Sequence, residues 1–203
     1  MIINLTPKEV FHPSALLYVL CGNVGTGKTT FRKELVVYLK SLDRTVMVIN
    51  ADEILSSLDG GSSQEYTGLK HEIMTQIKKM VLEKTGENQA VECFDPETAP
   101  ILVVDNMNST SKHRIAILTM VQSRMKTSET ALYRSVLLDF GCGNDRSLKR
   151  RIEGRPDISP QNWEEAHERI QKTWESPSQD EGYTEIFRME WVEDPPDVNT
   201  DKA

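Results

Sequence analysis

Cysteine is scarce in this 203-residue chain: Cys21, Cys93 and Cys142 are three, an odd number without a CxxC pair or paired histidine spacing. That excludes a disulfide scaffold and a zinc ribbon, and points to reduced thiols in a cytoplasmic or otherwise intracellular protein. Glycine (11) and proline (9) are few, which excludes collagen-like and low-complexity chains. No apolar run approaches the roughly 18 residues of a membrane span. The first residues, MIINLTPKEVFHPS, lack the basic and apolar regions of a signal peptide. Positive charge is in deficit, 24 Lys and Arg against 31 Asp and Glu, for a net charge of −7. A protein that coats nucleic acid by bulk charge is thereby disfavoured, although a local basic groove is not.

What is present is an ordinary globular mix, 38% hydrophobic and 27% charged. The length suits one domain, expected over residues 1–193, with 194–203 (DPPDVNTDKA) as a frayed tail. Residues 15–20 (ALLYVL), 45–49 (TVMVI), 101–105 (ILVVD) and 134–140 (RSVLLDF) read as buried strands. Helical spacing marks 28–42, 65–83, 112–125 and 144–153. A further helix opens at Ser159-Pro160, with Trp163, Ala166, Ile170 and Trp174 on its apolar face. Residues 184–192 read as a last strand, and 86–100 as a long loop. Alternating strands and helices predict an α/β fold, a three-layer α/β/α arrangement around a mainly parallel sheet.

Between the first strand and first helix stands GNVGTGKTT: Gly22, Asn23, Val24, Gly25, Thr26, Gly27, Lys28, Thr29 and Thr30. It matches GxxxxGK[ST] in full, in the strand–loop–helix context that the chemistry needs. Glycines let successive backbone N–H groups turn inward around phosphate oxygens, and the helix adds its positive end. Lys28 is expected to reach the β- and γ-phosphates, and Thr29 to offer its hydroxyl to Mg²⁺. The expected cofactors are ATP or another NTP, with Mg²⁺.

Two carboxylates follow strands at the end where ligands collect in such sheets. Asp105 closes ILVVD, the Walker-B form, in which the carboxylate orients Mg²⁺ or its water shell. Asp52 follows TVMVI; it can accept a proton from an attacking hydroxyl, or simply cap the helix starting at Glu53. Asn106 and Asn108 read as turn residues. Arg146, Lys149, Arg150, Arg151 and Arg155 form a basic run in an acidic chain. They read as an arginine-rich helical lid over the triphosphate in preference to a solvated face. The histidines His12, His71, His113 and His167 show no ligand spacing and read as surface or polar-face residues, Trp163 and Trp174 as core, and Trp191 as an anchor for the last strand.

In order, GNVGTGKTT, Asn50-Ala51-Asp52, Asp105-Asn106-Met107-Asn108 and RSLKRRIEGRPDISPQNW resemble the kinase domain of polynucleotide 5′-kinases, among small P-loop kinases. The resemblance covers roughly residues 15–192. It implies a P-loop NTPase-type fold, Asp52 as general base, and Arg151 with Arg155 as the lid's Arg-x-x-x-Arg pair. Glu181-Gly182-Tyr183 resembles a stretch near that family's C-terminal end. Leu55 stands where the family often has a substrate-gripping arginine.

The function expected is transfer of the γ-phosphoryl group of ATP to a hydroxyl. Lys28, Asp52, Arg151 and Arg155 would be catalytic, and Thr29 and Asp105 would attend the metal. The first-choice acceptor is the 5′-hydroxyl of a DNA or RNA end. Alternatives are a hydroxymethylated base in DNA or a small metabolite, and, from another class, a P-loop switch without kinase activity.

Overall fold

In the computed structural model, residues 2–50, 100–124 and 134–192 are described. The expected helix at 65–83, most of the loop at 86–100, the tail, and Asp52, Leu55, His71 and Cys93 all lie outside the described residues. Strands buried on both faces need near-continuous apolar runs. β2 (Ala15–Cys21) is buried at all seven positions, and β4 (Ile101–Asp105) at all five. With β3 (Val46–Asn50), β5 (Arg134–Asp139) and β6 (Glu185–Arg188) they form a five-stranded sheet in the order β3-β4-β2-β5-β6. Every pairing in it is parallel.

The period of two along each strand divides the core. Tyr18, Leu20, Ile101 and Val103 point to the side where α1 (Lys28–Ser41) brings Phe31, Leu35 and Leu39. Leu17, Val19, Cys21, Leu102 and Val104 point to the other, against Ile117, Leu118 and Val121 of α2 (Ser111–Arg124). This is the three-layer arrangement expected. A buried ion pair secures the second layer: Arg114 Nε and Nη2 reach the Glu181 carboxylate at 2.7 and 2.6 Å.

The last expected strand is two. β6 stays on the main sheet, but Met189 N–H donates to Asp139 O at 2.7 Å and Glu190 N–H to Asn4 Oδ1 at 2.8 Å. The chain therefore crosses over, and β7 (Trp191–Val192) pairs antiparallel with β1 (Ile2–Ile3). Beyond the sheet, α3 (Asp145–Gly154) and α4 (Pro160–Thr173) pack on each other. Asn144 and Ser147 form a reciprocal capping box on α3, and Ser159 caps α4 with Pro160 at its first position. Among the described residues no helix is long and apolar enough to cross a membrane.

Candidate functional site

β2 lies between β4 and β5, so the loop leaving it is flanked by the loops leaving both neighbours. Gly22 N–H donates to Met107 O at 3.0 Å, and Asn23 N–H to Gly141 O at 3.1 Å. The loop enters α1 through Gly27, at φ +97° with no side-chain cap and no acid in the helix's first turn. The first N–H groups of α1 and the positive end of its dipole are thus open to an anion. Two glycines are required by their surroundings. A Cβ on Gly25 would run into the backbone carbonyl of Ser147 in α3, and one on Gly27 would stand 2.5 Å from the Trp191 ring.

Lys28 folds back over this loop, donating to Gly22 O at 2.8 Å and Asn23 O at 2.7 Å. A phosphate oxygen is a charged acceptor and a stronger partner than either carbonyl. Next to it, Thr29 Oγ1 donates to Asp105 Oδ2 at 3.3 Å. Asn50 Nδ2 donates to the same oxygen at 2.9 Å, because Asn50 and Asp105 are register partners at the ends of β3 and β4. Arg32 Nε stands 3.3 Å from it as an ion pair. Asp105 is only 3% exposed. Burial pushes its carboxyl above the ordinary value, while Lys28 and Arg32 pull it back down. The donor set, a hydroxyl and a carboxylate, suits a hard cation that keeps most of its ligands from water and phosphate. Among the described residues no group of three His, Cys, Asp or Glu could cage a metal ion.

Across from the loop stand the lid helices. The Arg150 guanidinium lies 4.2 Å from the Trp191 ring centroid, and that of Arg151 4.2 Å from the Trp163 ring centroid. Arg155, the residue after α3, donates from Nε and Nη2 to Asp157 at 2.9 Å each. Trp191 Nε1 donates to Thr26 O at 2.8 Å. A cleft of about 910 Å³ runs between loop and lid, lined by Val24 to Thr30, Asn50, Asp105, the lid arginines, Trp163 and Trp191. A second, polar cavity of about 470 Å³ shares Thr26, Arg150 and Trp191 with it.

The family model of the chromatin associated protein KTI12 matches residues 16–181, from β2 to beyond α4. The chain belongs to the KTI12 family. Among solved structures it is similar to Kti12 of Chaetomium thermophilum in complex with ADP-AlF3, at 19% identity and a TM-score of 0.54, covering 88% of this chain and 90% of that one. It is also similar to a fungal RNA kinase, at 15% identity and a TM-score of 0.50, covering 89% and 78%. These likenesses show a P-loop kinase-type fold. No curated protein matches the chain significantly.

In this KTI12-family chain, Val24 to Thr30, Asp105, Arg151 and Arg155 all line one cleft. Gly22 and Asn23 sit beneath it. The Asn23 side chain is fully buried and braces the loop, donating to Cys142 O at 2.7 Å and His167 O at 3.1 Å. Asp52 lies outside the described residues, two positions beyond Asn50. Sequence reasoning missed Arg32; its spacing of one helical turn from Lys28 was the available signal. Trp163 and Trp191 belong to the cleft, not to core or strand anchoring alone. His167 is buried, at 3% exposure, against the expectation of a surface or polar-face residue. Nothing in its local sequence encodes the packing of α4 on the phosphate loop.

Proposed function

We propose that this chain is an NTP-dependent, Mg²⁺-requiring phosphotransferase acting on a hydroxyl. The observation that carries the reading is the convergence of Lys28, Thr29 and Asp105 with the arginines of α3 across one cleft. A triphosphate laid over the loop amides would draw Lys28 from its carbonyl partners, and the adjoining polar cavity leaves room for ribose and base. Thr29 and Asp105 would hold Mg²⁺, which supplies charge neutralisation on the β- and γ-phosphates when bound.

In the transfer step, the acceptor oxygen bonds to the γ-phosphorus as the bond to the β,γ-bridging oxygen breaks. The electron pair leaves with the nucleoside diphosphate, and the hydroxyl proton passes to Asp52. Arg151 and Arg155 would steady charge on the moving phosphoryl group, Arg155 by leaving Asp157. For the acceptor we propose the 5′-hydroxyl of a DNA or RNA end. The likeness to a fungal RNA kinase and the order of the sequence motifs favour it, and the tryptophans and arginines of the cleft could receive one end nucleotide.

The test is transfer of labelled γ-phosphate to a panel of 5′-hydroxyl oligonucleotides, hydroxymethylated duplexes and small metabolites. Oligonucleotide labelling is expected. Asp52→Asn should lower it by at least ~100-fold while nucleotide still binds. Near-normal transfer by that variant would remove Asp52 from the role of base. Labelling confined to another substrate would reassign the acceptor.

A further inference from the structure

The lid turns four arginines toward the cleft: Arg150, Arg151, Arg155 and Arg169. Three have aromatic or carboxylate partners, on Trp191, Trp163 and Asp157. Among the described residues, no hydrogen bond, ion pair or ring contact engages the Arg169 side chain. Its helix places it well. Trp163, Ala166 and Arg169 fall three apart on α4, and all three line the cleft. Ala166, between the other two, carries only a methyl group. The same helix is tied to the phosphate loop by the bond from Asn23 Nδ2 to His167 O, and Ile170 is buried beneath it. Arg169 therefore projects from an element fixed against the loop.

We infer that Arg169 is a further lid arginine that contacts the transferring phosphoryl group beside Arg151 and Arg155, an assignment that rests on the phosphotransferase reading above. Charge in that transition state is spread over three equatorial oxygens. A planar guanidinium donates to two of them at once, without giving up a proton. Arg150, Arg151 and Arg155 must surrender or share a partner to do this. Arg169 surrenders none, so its N–H groups exchange only water for the anion.

The experiment uses the full chain and compares the affinity of Mg²⁺-ADP with that of Mg²⁺-ADP plus aluminium fluoride, by titration calorimetry. Aluminium fluoride mimics the phosphoryl group in flight. In the wild type it should tighten ADP binding. Arg169→Gln should keep its ADP affinity within about twofold but lose at least about tenfold of the tightening, and Arg169→Lys should recover part. Thermal melts of both variants should match the wild type, since the side chain is exposed. Undiminished tightening in Arg169→Gln overturns the assignment alone. An equal loss of plain ADP affinity overturns it too, by showing a ground-state contact. No tightening in the wild type overturns the phosphotransferase reading, and the assignment with it.

Discussion

A single oxygen, Asp105 Oδ2, receives Thr29, Asn50 and the charge of Arg32. Thr29 and Arg32 arrive from α1 and Asn50 from β3, so the carboxylate is aimed before any ligand binds. Arg114 is the counterpart on the structural side. It is fully buried, forks onto Glu181, and also donates from Nη1 to Asn108 O at 3.0 Å. Asn108 in turn donates to Leu20 O at 2.8 Å, at the end of the strand that feeds the phosphate loop. Removing one partner of a buried pair strands the other in low dielectric. Glu181→Ala should therefore cost about 3–5 kcal/mol in urea unfolding. Arg134→Ala breaks the more exposed pair with Glu185 and should cost under ~1 kcal/mol. Comparable losses would mean that burial does not govern these pairs. The phosphate loop, Asp105 and the arginine run were legible in the sequence because each is a contiguous pattern. Arg114–Glu181 was not, since its partners lie 67 residues apart.

Helix α4 was legible by its cap and apolar spacing, but the surface it would meet was not. His167 packs at the loop, where a Cβ on Gly143 would stand 3.3 Å from its ring, and among the described residues neither ring nitrogen has a hydrogen-bond partner. Burial holds the imidazole below its ordinary value, with Asp145 and Glu168 pulling the other way. Below about pH 6.5 the unfolded chain binds a proton that the folded imidazole resists, so stability is lost as pH falls. His167→Leu should shrink the fall in melting temperature between pH 7.5 and 5.5. An unchanged fall would show that His167 titrates alike in the folded and unfolded chains and contributes nothing to it. The last strand shows the same limit on reading elements. Residues 184–192 read as one strand, but Met189 bonds to β5 and Glu190 to Asn4, which splits it between two sheets.

Across the whole molecule, the cleft is assembled from the ends of β2, β3 and β4, the two lid helices and the final strand. A ligand there binds only the folded state. ADP with Mg²⁺ at 100 times its dissociation constant should add about 2.7 kcal/mol of stability. That corresponds to a rise in melting temperature of roughly 5–10 °C for a chain of this size. Lys28→Ala should abolish most of that shift without lowering the ligand-free melting temperature by more than a degree or two. A full shift in Lys28→Ala would place the nucleotide elsewhere. By itself the sequence determined the layered parallel fold, the phosphate loop and the carboxylate that ends β4. These follow from local periodicity and from residue types that only a few backbone conformations accept. Only the tertiary structure decided that Arg32 shares Asp105, that Trp191 seats on Gly27, that Asn23 braces α4, and that Arg169 faces the cleft without a side-chain partner among the described residues. Those are contacts between distant segments, selected by how whole elements pack, and no local pattern of side chains specifies them.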